Sequence, residues 1–348
     1  MATITNFGDI SPRVAAYAMA GMLKRAMPYL HLEKFGQTYV LPTKSTATAK
    51  FRRYFLSGAT GSAGSGSGSF FIPVATTPLV EGVTPTGSVI ANQDYTVTLQ
   101  QYGNFTTITD VIENIHADPI LQQMVEILGE QAAVTVETLR FNILKAGTNV
   151  TYANSVAGRS SIITAITLAD QRRITSALNR QNAKKITTVV DSSPDYNTKS
   201  VEASYMAVCH PDLETDIRGM AGFKAVADYG PHTSPFEGEI GSVEQVRYLT
   251  STVIAPFADS GGTAVTNNLK YTTANTACDV YPVLYFGRDA YGIVPLKGES
   301  AMTPMVVNPK PAPGDPLAQR GTVGWKLWNG TVILQDAWMT RGEFGATA

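Results

Sequence analysis

The chain has 348 residues, enough for about two domains at roughly 150 residues each. It is 44% hydrophobic but only 16% charged, with a net charge of -1. That balance gives enough apolar content for a core and argues against a dedicated nucleic-acid binder, which carries a basic excess. A low-charge surface suits a subunit that covers itself with further copies of itself.

The first ten residues read as an arm. They lack the basic and apolar regions of a signal peptide. Ser11-Pro12 then opens a short helix to about Met27, with Ser as cap and Pro in the first turn. From residue 37 to about 110 the pattern is extended. Tyr39, Leu41, Phe51, Tyr54 and Phe55 lie among Thr, Lys and Arg, which favours strands, and Pro42 marks an edge or irregular one. Residues 57–69 are wholly Gly, Ser, Ala and Thr, a flexible tip by composition. Pro78 to Pro85 reads as a rigid turn. In the run 95–109, Tyr95, Val97 and Leu99 share one face opposite Thr96, Thr98 and Gln100.

A long amphipathic helix follows, expected over 117–145 and spanning about 43 Å. Leu121, Val125, Leu128, Ala132, Val136, Leu139 and Ile143 form its core stripe, and Gly147 is its stop. Residues 164–290 read as mixed α/β. The pattern gives a helix over 167–182 with Arg172, Arg173 and Arg180 on its polar side, and a short strand over 204–209. A helix opens at Pro211, and strands follow over 243–253 and 280–286. Strands over 322–327 and 331–339 are joined by Asn329-Gly330, a hairpin signal.

Catalytic and metal chemistry is hard to assemble from these residues. His31, His116, His210 and His232 form no metal-binding spacing, and Cys209-His210 is an adjacent pair that points apart on a strand. Cys209 and Cys278 read as small apolar core residues rather than a disulfide framework. No phosphate loop, dinucleotide fingerprint or nucleophile elbow is present. Glu126, Glu130 and Glu137 lie on the long helix. Glu126 and Glu130 are four apart and read as a solvated face rather than an acid/base pair. No stretch approaches a membrane span. The expectation is no enzyme, no cofactor and no metal.

Lys50, Arg52 and Arg53 form the densest basic cluster. Lys50 and Arg52 alternate onto one strand face and Arg53 takes the other. Three readings stay open: solubility of an exposed arm, salt bridges to acids of a neighbouring subunit, or contact with nucleic acid.

Five segments carry a resemblance: PLVEGVTP at 78–85, QYGNFTTITD at 101–110, GEIGSVEQVRYLTS at 238–251, FGRDAYGIVPLKG at 286–298 and DPLAQRGTVGWKLW at 315–328. In this order they resemble major capsid proteins of tailed bacteriophages with the Hong Kong 97 fold, and more narrowly the subfamily typified by the N-four podophage. The resemblance implies an α+β fold in four parts. These are an N-terminal arm and first helix (1–36), an extended β-loop (37–105), a peripheral domain (106–163 and 291–348) with a spine helix at 117–145, and an axial domain (164–290).

It also implies the function: a structural subunit that assembles with many copies of itself, as hexamers and pentamers, into an icosahedral virion shell. Each copy would lend its loop to a neighbour, with hinges near Gln37 and Tyr102-Gly103. The shell would be built in the bacterial host cytoplasm around non-specifically held double-stranded DNA, with a portal. The short start before Ser11 leaves no room for a cleaved scaffolding segment, which implies a separate scaffold protein. The resemblance leaves room for a decoration protein.

Glu81, between Val80 and Gly82 in the Pro-flanked turn, is the leading inter-subunit contact, with Arg52 and Arg53 as opposite charges; a solvated turn acid is the other reading. Arg172, Arg173, Lys184 and Lys185 are DNA-facing candidates by composition. An encapsulin-like compartment holding cargo enzymes is the alternative. A secreted β-rich adhesin fits less well, because it leaves the long helix unexplained.

Overall fold

The computed structural model describes residues 30–44, 46–56, 78–84, 87, 89–110, 120–186, 190–191, 199–200, 203–228, 236–263, 268–272, 277–296, 303–307, 311, 316–317 and 319–348. The expected helix at 11–27, the Gly/Ser tip at 57–69 and the expected helix start at Asp118-Pro119 lie outside them.

The first part of the chain is extended. β1 (Gln37–Thr38) is short, and Pro42 and Lys44 (φ 59°) interrupt the chain before β2 (Thr48–Leu56). The alternating run after the turn divides between β3 (Ile90–Thr98) and β4 (Gln100–Thr109), with Leu99 between them. As the alternation predicts, Val97 and Leu99 are buried on one face and Thr96 and Thr98 are exposed. α1 is described over Ile120–Leu144, 25 residues and about 37 Å long. Gly147 N–H reaches Leu144 O just past its end.

β5 (Val150–Tyr152) leads to α2 (Leu168–Arg180), which Thr167 caps by accepting Asp170 N–H. β6 (Val190–Asp191) and β7 (Lys199–Ser200) pair with each other. β8 (Tyr205–Cys209), α3 (Glu214–Arg218) and β9 (Phe223–Ala225) follow. The stretch expected as one strand from Val243 is a hairpin instead. β10 (Glu239–Val243) turns through Glu244, whose φ of 49° reverses the chain, into β11 (Val246–Thr250). β12 (Tyr281–Phe286), β13 (Tyr291–Ile293), β14 (Thr303–Val307), β15 (Arg320–Asn329), β16 (Thr331–Ile333) and β17 (Met339–Phe344) complete the chain.

The expected Asn329-Gly330 hairpin does not form. Neither residue has the positive φ that a tight two-residue hairpin turn needs, and β15 and β16 join different sheets. Gly330 instead lets the backbone lie against Val97, 3.1 Å from where a Cβ would sit.

The large sheet has the order β5-β17-β12-β8-β11-β10-β9. Its central strands read as continuous apolar runs because both faces are covered. Tyr205, Ala207, Val246, Tyr248, Val283 and Tyr285 face one core with Ile174 and Leu178 of α2. Met206, Val208, Leu249, Leu284 and Phe286 face the other with Phe141 and Leu144 of α1. Gln171 of α2 spans the first core, donating to Val243 O and accepting from Tyr248 Oη, both at 2.8 Å.

A second sheet, β14-β15-β4, lies along α1, and Val125, Leu128, Ala132 and Val136 pack on Val323, Trp325 and Leu327. The expected stripe holds through these four positions and then rotates. Glu137, Arg140, Phe141 and Leu144 are buried further along, while Ile143 is exposed. The helix packs on β15 in its first half and on the large sheet's core in its second, so its buried face shifts. β1 pairs parallel with β13, whose other neighbour is β16.

Candidate assembly surfaces

The β2–β3 hairpin is the described part of the arm. It runs from Thr48↔Thr98 to Leu56↔Ile90 and, among the described residues, joins no other sheet. Among the described residues its root has the core: Ala49, Val97 and Leu99 pack with Leu41 and Val294. Towards the tip Tyr54 is 65% exposed and Ile90 68%. A two-stranded ribbon is marginal alone in water, so its outer half needs a partner surface.

The basic cluster divides as the alternation predicts. Lys50 and Arg52 are on the exposed face and Arg53 on the half-buried one. Arg52 makes a bidentate pair with Asp94, its cross-strand partner, at 2.7 and 2.9 Å. That pairing raises the Arg52 pKa and holds the Asp94 carboxyl below its ordinary value. Arg53 donates to Gln335 Oε1 and lies 5.7 Å over the Trp338 ring. Both guanidinium groups are therefore engaged within the chain, and Lys50 remains exposed.

Glu81 sits at the second position of a β-turn closed by Val83 N–H to Val80 O at 3.2 Å. Gly82 has φ 78°, which the turn requires and which favours glycine. Leu79, Val80 and Val83 flank Glu81 and are all strongly exposed.

The outward face of the β14-β15-β4 sheet is a second uncovered surface. The register aligns Met305, Gly324 and Phe105 in one row, Val307, Thr322 and Thr107 in the next, and Thr303, Lys326 and Gly103 on the other side. Gly103 and Gly324 have no side chains to fill the face. A Cβ at Gly103 would meet Trp325 O at 2.7 Å, and one at Gly324 would meet Phe105 Cβ at 2.9 Å. The result is a shallow trough of about 550 Å³ between Met305, Val307 and Phe105. Phe105 is 68% exposed, Val307 53% and Met305 45%. On the sheet's inner side, Gln131 of α1 accepts from Asn104 Nδ2 at 3.0 Å and Trp325 Nε1 at 3.2 Å, which fixes the sheet to the helix.

Glu137 is the residue that sequence reasoning missed. Read as one of several helix carboxylates, it is 1% exposed. Its Oε1 accepts the backbone N–H groups of His31 at 3.1 Å and Leu32 at 2.9 Å. Arg140, one turn on, pairs with Glu33 at 3.1 Å, and Tyr291 donates to Leu32 O at 2.5 Å. Burial pushes the Glu137 carboxyl up to about 7 against those two backbone donors and Arg140. The cluster clamps residues 31–35 onto α1. Only the rotation of the buried face could have signalled it.

Most of the remaining sequence candidates have partners within the chain. Arg172 pairs with Glu244, and Arg173 with Asp170 and Tyr152 O. Lys184 is exposed, and Lys185 lies 5.9 Å over the Tyr205 ring. Cys209 and Cys278 are fully buried free thiols, held up in pKa by burial. His210 Nδ1 accepts Asp212 N–H, capping the turn that follows. Among the described residues no group of three metal-ligating side chains forms. Gln37 and Tyr102-Gly103, expected as hinges, lie in paired strands; the break in the run falls at Leu99.

A projecting ribbon, a long helix beneath a three-stranded sheet, and a large mixed sheet define an α+β fold of the Hong Kong 97 type. The chain belongs to the phage capsid protein family, whose model matches residues 93–341. It is 20% identical over 257 residues to the major capsid protein of Pseudomonas phage KPP21, a match covering 69% of this chain and 65% of that protein's length. Among solved structures, the capsid of Ralstonia phage GP4 matches with a TM-score of 0.65 and 14% identity, over 100% of this chain and 99% of that one. The Cyanophage Pam1 capsid matches with a TM-score of 0.56 and 16% identity, over 93% of this chain and 92% of that one.

Proposed function

We propose that this chain is the major capsid protein of a tailed bacteriophage and assembles into the icosahedral head around double-stranded DNA. One observation carries the reading. A chain of the phage capsid family leaves a hairpin, an apolar turn and a sheet face uncovered on the isolated subunit. Exposed patches of this kind mark contact surfaces, and obligate interfaces commonly bury about 2,000 Å² or more. The mechanism is binding geometry. Copies in hexamers and pentamers lend their hairpins to neighbours, and Lys50, Arg52, Arg53 and Glu81 lie at those boundaries.

The division follows the family: arm (1–36), extended loop (37–105), peripheral domain (106–163 and most of 291–348) and axial domain (164–290). Pairing of β17 with β12 supports counting 339–348 with the axial sheet. Assembly takes place in the host cytoplasm with a portal and a separate scaffold protein, and the shell leaves room for a decoration protein. DNA is held weakly and without sequence preference, with Lys184 and Lys185 better available than Arg172 and Arg173.

Electron microscopy of native particles, with nucleic-acid absorbance on the same sample, tests this. Closed icosahedral shells containing DNA are expected. Shells filled with protein cargo would move the reading to an encapsulin-like compartment, and only small oligomers with scaffold present would overturn both.

A further inference from the structure

Two uncovered surfaces of this chain match each other. The turn at residues 79–83 presents Leu79, Val80 and Val83 around one charge, Glu81. The trough on the β14-β15-β4 sheet presents Phe105, Met305 and Val307 around one charge, Lys326. Neither Glu81 nor Lys326 is in an ion pair with a described residue of its own chain. The trough floor is glycine, so backbone can approach closely where a flat sheet of ordinary side chains would hold it off.

We infer that the glycine-floored trough of one copy receives the Leu79–Val83 turn of a second copy, with Glu81 of the incoming turn paired to Lys326. The inference rests on the shell reading and names the receiving surface that reading leaves open. Two different patches meet, so the contact is heterologous and propagates around a ring, as a closed capsomer needs. Burial of Leu79 and Val80 against Phe105 and Met305 supplies attraction. The single charge pair sets register, because a slipped turn leaves both charges desolvated and unpaired. It also accounts for Lys326 as the one charged side chain among the described residues that line the trough.

The test uses full-length chains co-expressed with the scaffold. In oxidised shells of the Glu81→Cys, Lys326→Cys double variant, a ladder of covalent multimers is expected on a denaturing gel. Reduction abolishes it, and either single variant lacks it; Cys209 and Cys278 are buried and stay out of the reaction. Charge exchange gives a second readout. Glu81→Lys or Lys326→Glu alone lowers closed-shell yield about ten-fold, and the two together restore most of it. Shells of the double-cysteine chain that remain monomeric on the gel overturn the inference and leave the shell reading standing. A double charge swap no better than the worse single does the same. If the unaltered chain forms no shells, the shell reading falls and this inference falls with it.

Discussion

Glu137 Oε1 lies 2.9 Å from the backbone nitrogen of Leu32, across 105 residues of sequence. A helix carboxylate thus acts as the cap of the 3-10 turn Leu32–Lys34, which makes no side-chain cap bond through its own His31. Leu32 and Phe35 then reach the core shared by Phe141, Phe286 and Tyr291. The segment leading into the arm is therefore fixed to α1 by one acid and two buried apolar side chains.

That acid makes subunit stability depend on pH. Burial raises the folded carboxyl from 4.5 to about 7, so the folded state favours the protonated form. The stabilisation from protonation is complete below the unfolded value and is lost as pH rises through about 7. The swing is on the order of 3 kcal/mol. His31, Glu33, Arg140 and Tyr291 surround the group and set the baseline. Glu137→Gln keeps an acceptor for both N–H groups and removes the titration. Unfolding of the unassembled subunit at pH 5 and pH 8 should show a smaller difference in the variant than in the wild type. Equal differences would place the titration elsewhere.

Arg159 should be among the most costly surface-proximal residues to remove. It makes a bidentate pair with Glu343, both bonds at 2.7 Å, and its guanidinium lies 3.6 Å over the Phe257 ring. Glu343 is fully buried and shares its charge with Arg341 at 2.8 Å. Arg159→Met leaves that carboxylate with one partner of two. The expected cost is about 2–4 kcal/mol in denaturant unfolding, towards the lower end because Arg159 is a third exposed. A change within ~0.5 kcal/mol would mean that Arg341 alone satisfies Glu343.

Both cysteines should resist modification until the fold opens. Cys209 Sγ donates to Leu249 O and Cys278 Sγ to Ile162 O, and burial disfavours both thiolates. A thiol reagent at pH 8 should label neither in the native subunit and both in denaturant. Labelling of either before unfolding would reveal local opening of that core.

Much of the fold was legible because its signals are local. The alternation at Tyr95, Val97 and Leu99 and the apolar spacing from Val125 to Val136 each encode one buried face. What the sequence hid depends on which elements meet. Asn329-Gly330 has hairpin chemistry, yet β16 is taken by β13 and β15 by β4, so tertiary pairing overrides the turn. Glu137 looks like any helix acid until residues 31–35 are laid over it. The trough is invisible for the same reason: Gly103 and Gly324 are far apart in sequence, and only the sheet register brings them to one face.

Two glycines should behave oppositely for this reason. Gly324 has an ordinary backbone conformation but no room, since a Cβ would sit 2.9 Å from Phe105 Cβ and 3.0 Å from Asn104 O. Gly82 has nothing within 4 Å but a φ of 78°. Gly324→Ala forces β15 and β4 apart, so it should destabilise the subunit by about 1–3 kcal/mol and expose amides of β4 to hydrogen exchange. Gly82→Ala strains or opens only an exposed turn, with a cost near 1 kcal/mol confined to that loop. The unfolding midpoint should therefore fall for Gly324→Ala and hold for Gly82→Ala, while closed-shell yield falls for both. A Gly82→Ala chain that assembles normally would show that the turn at Glu81 can change shape without affecting the contact it makes.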